Sequence, residues 1–407
     1  MTTPQAPQVK PHISLGRYYR LVRNNPNFRR LWIAQIVSEL GDWFYAVAIY
    51  DLVLRLTGSA QAVGLVVLLH ILPQFFMGTT AGAVNDRVSR KAIMIVADVA
   101  RAVIVMGMML VRTSDWLWLL YVLLATEVIS ASFFEPGRTA VIPNIVGEEE
   151  ALAANALSSA TWSFNLAVGT GLGGLAIHFL GRESAFLINS LSFVISAVLI
   201  GGMRFEEPHV SGRRHLKWID VLGLGPVVEG IRYVQRDPRL RSTLFLKFGL
   251  GWLGANLVLL PVMAAREFHV PGALGMSTLF MFRGIGAIIG PFLGGWLAGS
   301  SQRRMRIGIL LGFLTVSAFY VLFSRAPSLA LASAGVRCRP VSEIAAWFSV
   351  VDLSSGVETV AVSATPSTVM VAVWVTGALV LPPTAASSVV EEVKLSVSWP
   401  SNSLVGV

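Results

Sequence analysis

Apolar residues recur along this chain in runs of about twenty, the length a helix needs to cross ~30 Å of hydrocarbon. The runs fall at 31–54, 62–84, 92–111, 116–134, 154–180, 185–203, 242–264, 275–299 and 305–324, and each predicts one spanning helix. Short polar segments separate them. The pattern is that of an all-α polytopic membrane protein with about nine recognisable spans, six of them ahead of a long polar segment at 204–240.

The polar segments alternate in charge. Lysine and arginine crowd the N-terminus, the 86–91 turn, the 204–241 stretch and the 303–306 turn, while the intervening turns hold fewer. The positive-inside bias therefore predicts a cytoplasmic N-terminus and a cytoplasmic linker. NPNFR at 25–29 recurs as DPRLR at 237–241, and the same offset carries Gly78 and Gly82 onto Gly290 and Gly294. A parallel internal repeat of this size is the mark of a two-bundle transporter.

The domain reading follows. Residues 1–24 form a basic cytoplasmic tail, 25–203 a six-helix bundle, 204–240 a linker, and 241–334 a partial second bundle. From about Gly335 valine and serine crowd the chain and arginine and glycine nearly vanish, so 335–407 reads as an atypical tail. Its best apolar run, Thr368 to Leu381, is short for a span. A reading-frame shift in the gene would produce such a tail. The alternative is a divergent C-terminus with one short span.

Composition sharpens the class. Hydrophobic residues make up 54% of the 407 and charged residues only 14%, against about 25% charged in soluble domains. The first thirty residues hold no apolar core, so no cleavable signal peptide is read there. A net charge of +9 fits the basic cytoplasmic segments better than a nucleic-acid partner. Cys338 stands alone, so neither an internal disulfide nor a cysteine metal site is expected. No phosphate-binding loop, HExxH, CxxC pair or nucleophile elbow occurs, and no enzyme, cofactor or metal is read. What remains is a carrier driven by an ion gradient.

Charged residues inside membrane helices are costly, by about 2.5–3.5 kcal/mol on insertion scales, so those retained are candidates for function. Glu39 and Asp42 lie one turn apart in the first span, with Asp51 further along. Two carboxylates that close, out of water, repel when both are ionised, which is the chemistry a proton-coupled carrier needs. The competing reading pairs them with a cation from another helix, such as Lys247 or Arg283, in a purely structural role. Asp98 and Arg101 sit at i, i+3 and read as an ion pair behind the 86–91 turn. Glu127 has no partner in its own helix and is a second coupling candidate. His70 and His178 read as packed neutral side chains. Gly286, Gly290, Gly294 and Ala298, Asn165, Gly169 and Gly173, and Gly78 and Gly82 form small-residue stripes that let helices approach closely. Trp116, Trp118 and Tyr121 read as an interfacial belt.

Three stretches together carry a family resemblance: NPNFRRLWIAQIVSELGDWF at the first span, the turn from Gly82 through Asp86, Arg87, Arg90 and Lys91, and FFEPGRTAVIPNIV at 133–146 with ANAL following. With these the chain resembles the major facilitator superfamily, and within it the drug:proton antiporter branch that includes macrolide, multidrug and enterobactin exporters. The resemblance spans roughly 20–330. It departs at Ser89, where glycine is usual, which predicts a slightly strained turn. It departs again at Thr170, where the antiporter motif has proline.

The resemblance implies a major-facilitator-type two-bundle fold, here with an incomplete second bundle. It implies proton-coupled export of amphipathic small molecules by alternating access, in a monomer of the inner (plasma) membrane. Partners would be the solute, protons and the bilayer. The coupling candidates remain the intramembrane acids Asp42, Glu39 and Glu127. The resemblance assigns Gly82, Asp86, Arg87, Arg90, Lys91, Asp98, Arg101 and Arg138, the last placed after the fourth span, to a cytoplasmic gate. A lysophospholipid carrier or importer of the same superfamily, or a truncated non-transporting membrane protein, are the alternatives.

Overall fold

The computed structural model describes residues 15–207, 232–237, 240–241, 244, 256–266, 268, 273–298 and 302–324, and among them every regular element is helical. The helices are α1 Leu15–Asn24, α2 Pro26–Thr57, α3 Ala60–Asn85, α4 Arg90–Met108, α5 Leu117–Val146, α6 Glu148–Leu180 and α7 Arg182–Gly201, followed by α8 Asn256–Arg266, α9 Leu274–Ala298 and α10 Gln302–Ser324. Residues 335–407, Lys247 and most of the 204–240 linker lie outside the described residues.

Local sequence sets the helix ends. Asn25 caps α2, its side chain accepting from the Phe28 N–H at 2.9 Å, with Pro26 in the first turn, where it forfeits no helical bond. The same helix stops at Gly58, whose left-handed φ of 61° turns its N–H back onto the Leu54 carbonyl. At the position that the sequence offset aligns with Asn25, the Asp237 side chain likewise accepts from the Leu240 N–H at 3.3 Å.

Several helices outrun their apolar runs. The fourth span was expected to end at 134, but α5 continues to Val146 through Pro136 and Pro143. Donors from other helices serve its proline-bearing half and its end. Asn85 Nδ2 donates to the Phe133 carbonyl at 3.0 Å, Arg90 Nη1 to Ala140 at 2.9 Å, and Asn25 Nδ2 to Ile145 at 2.5 Å. Hydropathy could not show this, because cross-helix bonds support the polar extension. Among the described residues, four helical stretches are long and apolar enough to cross a membrane: Ala60–Asn85, Ser114–Val146, Glu150–Leu180 and Arg182–Gly201. α2 and α4 are long too, but buried charge interrupts them.

α2 lies between α6 and α7, α4 between α5 and α7, α3 against α5, and α9 along α6. Large apolar side chains left exposed form outer stripes, such as Val96, Val99, Val103 and Met106 on α4 and Leu187, Leu191, Val194 and Val198 on α7. Only hydrocarbon would welcome such faces. Inside are two apolar clusters. One contains Phe28, Leu31, Met94, Phe134, Ile142 and Ile200. The other contains Tyr45, Leu52, Val105, Leu124, Phe186 and Phe193. On α2 and α4, Glu39 and Asp42, and Asp98 and Arg101, fall between the two clusters in sequence, and Glu127 of α5 lies at the edge of the second, making a polar layer within an apolar bundle.

Close approach between helices depends on glycine. At Gly173 an added Cβ would meet the Phe44 Cα of α2 at 3.0 Å, and at Gly284 it would run into the backbone of Ala167, so α2 and α9 grip opposite sides of α6. Gly78 and Gly82 behave differently from expectation. Among the described residues, nothing lies within 4 Å of a Cβ placed on either. A small-residue stripe permits contact but does not supply the neighbour.

Candidate functional site

The polar layer is centred on Arg101 of α4. Its Nε donates to Glu127 Oε1 of α5 at 2.7 Å, and its Nη2 to both oxygens of Asp42 of α2 at 3.0 and 3.1 Å. Asp98, one turn back on α4, stands 3.9 Å from Nη1. The guanidinium carbon lies 3.9 Å from the centroid of the Phe193 ring of α7, a cation–π arrangement that also shields the charge from lipid. Arg101 is 6% exposed, Glu127 2% and Asp98 0%. Three carboxylates from three helices thus share one buried cation.

Asp98 is the odd member. Both its oxygens are buried, and among the described residues none of its contacts reaches normal hydrogen-bond geometry, although the equally buried Ser196 Oγ of α7 faces it. An unsatisfied buried carboxylate is uncommon and marks a place where the charge balance can change. Asp42 is the member nearest water, its side chain one-third exposed.

Glu39 joins a different network from Asp42. Its oxygens accept from Gln35 Nε2 at 2.8 Å and Asn165 Nδ2 of α6 at 2.9 Å. Gln35 accepts in turn from Arg138 Nη1 at 3.1 Å, and Arg138 pairs with Glu135. The Gln35 amide is fully used, since Nε2 also serves the Ser158 carbonyl at 3.0 Å. The expected side-by-side carboxylate pair is therefore split. Asp42 takes a guanidinium that reaches across from α4, while Glu39 takes two amides, one from Gln35 on α2 itself and one from α6, which packs directly along α2. The cation is Arg101, not Arg283 of α9; Lys247 lies outside the described residues. Asp51 forms its own ion pair with Arg55 at 2.9 Å.

The structure regroups the expected gate residues. Arg101 and Asp98 join the Asp42–Glu127 cluster rather than the 86–91 turn, and Arg138 lies inside α5 rather than after the fourth span. At the turn, Arg90 is spent within the bundle, donating to the Asn85 and Ala140 carbonyls at 3.2 and 2.9 Å. Lys91 Nζ donates to Met203 at 2.7 Å. Asp86 faces outward, 75% exposed and 3.6 Å from Arg90. Ser89 carries no strain: its φ of −54° is ordinary, and its hydroxyl caps α4 through the Ala92 N–H. His178, expected to be packed, lies on an exposed helix face, while His70 is turned inward toward Glu127 and Arg101.

Sequence reasoning missed Asn165, Gln35 and Glu207. Asn165 sits in the small-residue stripe with Gly169 and Gly173, so its amide faces whatever those glycines face.

The model for the Major Facilitator Superfamily matches residues 31–387, so the match crosses the composition change near 335. An uncharacterized MFS-type transporter, YfiS, from Bacillus subtilis (strain 168) is 29% identical over 227 residues, 55% of this chain. The chain spans about half, 53%, of that relative's length. The multidrug efflux pump Tap of Mycolicibacterium fortuitum is 25% identical over 308 residues, 73% of each chain. Among solved structures, a bacterial homologue of the human lysosomal transporter Spinster superposes with a TM-score of 0.60 at 14% identity, covering 94% of this chain and 79% of that one. At that identity the likeness concerns the fold alone. The bundle of apolar-faced helices, the buried charge and the match over most of the chain converge: the chain belongs to the major facilitator superfamily.

Proposed function

We propose that the chain is a secondary active exporter of amphipathic small molecules, coupled to proton entry across the plasma membrane, with its N-terminus cytoplasmic. The observation that carries this reading is the Arg101 cluster. Asp42, Glu127 and Asp98 compete for one guanidinium inside a spanning bundle. Protonating the most exposed of them, Asp42, removes one claim on Arg101 and releases α2 from α4. Losing that proton restores the bond. A binary contact between helices, set by one proton, is what coupling an ion to a conformational change requires.

Two further observations support the two-bundle arrangement. The like side-chain bonds at Asn25 and Asp237 fit two copies of one unit, and α9, from the second copy, packs along α6. In this reading, the second bundle starts near 241 and the outward-facing Asp86 meets it across the cytoplasmic end. Whether 335–407 supplies the remaining helices is decided by resequencing the gene downstream of Ala334. An intact frame, with the same tail in close relatives, removes the frameshift reading.

The test of function is expression in an efflux-deficient bacterial host challenged with erythromycin and ethidium. Wild type is expected to raise tolerance at least fourfold, and Asp42→Asn to abolish the gain at equal membrane abundance. Unchanged tolerance with the wild-type protein present in the membrane would sink the export reading.

A further inference from the structure

The segment leaving α7 is bound, residue after residue, to the starts of α2 and α4. Arg30 donates to the Gly202 carbonyl and Lys91 Nζ to Met203. Asn27 and Arg204 exchange a reciprocal pair of bonds at 2.6 and 2.9 Å. The last tie is Glu207. One of its oxygens accepts the Ser89 hydroxyl at 2.5 Å, and the other accepts the backbone N–H of Arg90 at 2.7 Å and of Lys91 at 3.4 Å.

These bonds complete the first turn of α4. A helix N-terminus leaves its first N–H groups without partners in the helix and carries partial positive charge. Here Ser89 Oγ serves Ala92, and Glu207 serves Arg90 and Lys91. The serine that replaces the family's usual glycine is thus half of a Ser–Glu clasp. A cap needs no help from a residue over a hundred positions away, since Ser89 alone already occupies the cap position. What Glu207 adds is a connection: it joins the exit from the first bundle to the helix that carries Arg101, about 16 Å further along at 1.5 Å per residue.

We propose that Glu207 is a positioning residue of the transport cycle, tying the exit segment of the first bundle to α4 so that movement at the 86–91 turn and at Arg101 occur together. This rests on the alternating-access reading above. Losing the tie leaves α4 folded but lets the turn move independently of the exit segment, which shifts the balance between inward-open and outward-open forms.

The experiment uses the full chain with Cys338→Ser and a reporter, Ala46→Cys, half-buried one turn beyond Asp42 on α2. Labelling by a membrane-impermeant maleimide is followed in right-side-out and inverted vesicles. Glu207→Ala should change the ratio of the two labelling rates at least threefold. The key variant is Glu207→Ala with Ser89→Asp, which restores a carboxylate at the α4 cap without restoring the tie. It should recover the wild-type melting temperature in detergent while keeping the altered labelling ratio. If Ser89→Asp also restores the ratio, or Glu207→Ala never changes it, Glu207 is only a cap and the inference fails. If the reporter labels from neither side in the otherwise unchanged chain, the alternating-access reading fails instead.

Discussion

Arg101 shows what a single residue decides in this bundle. It is held by two close carboxylates and an aromatic ring, with a third carboxylate 3.9 Å away. Removing one partner of a buried ion pair costs about 3–5 kcal/mol, because the remaining charge is left uncompensated. Arg101→Ala leaves three buried carboxylates facing one another and should lower the melting temperature in detergent more than any single acid-to-amide change. Asp42→Asn mimics the protonated, released state while leaving Arg101 to Glu127 and Asp98, so it should lower melting less than Arg101→Ala and abolish transport. Melting curves for the two variants side by side check this, and equal losses would show that Arg101 does not hold the cluster.

The candidate acids were legible in the sequence because charge in an apolar run stands out. Their partners were not. Arg101 and Glu127 are 26 positions apart, and nothing in periodicity says that α4 and α5 present them to each other. Asp98 hid Arg101's other bonds by offering an i, i+3 partner on the same helix.

Among elements, α6 has the most demanding position, between α2 and α9. Gly284→Val should push α9 away from Ala167, an overpacking change worth about 1–3 kcal/mol in well-packed cores and more where backbone is struck. Gly82→Val, with open space among the described residues, should leave the melting temperature of the detergent-solubilised protein unchanged. The two substitutions are chemically alike, so a difference in melting reads the neighbour and not the residue. Asn25→Ala should cost about 1 kcal/mol as a lost helix cap, with a further loss because Asn25 also ties the end of α5 at Ile145. Thermal unfolding followed by circular dichroism measures it.

Among the described residues, helix existence followed from the apolar runs. Helix length did not. The α5 extension past 134 contains two prolines and polar residues, and Asn85, Arg90 and Asn25 tie it to the rest of the bundle through its carbonyls.

At the scale of the molecule, two apolar clusters enclose a charged layer, and the 86–91 turn with the exit segment lies beyond one of them. α4 links the turn and the charged layer, held at one end by Ser89 and Glu207 and at its middle by Arg101, and in the proposed cycle it carries movement at the turn to that layer. The composition of the chain announced a membrane bundle, but only folding shows that the charges of separate helices converge on one guanidinium.

That convergence gives the most direct test. Purified protein in liposomes preloaded with ethidium is given a pH gradient of either sign, with membrane potential clamped, and dye flux is followed with internal pH. The wild type should move ethidium against protons, with the direction of flux reversing when the gradient is reversed. Asp42→Asn should lose gradient-driven flux while remaining folded. Wild-type flux indifferent to the pH gradient, or an Asp42→Asn variant driven as strongly as wild type, would contradict proton coupling at the Arg101 cluster.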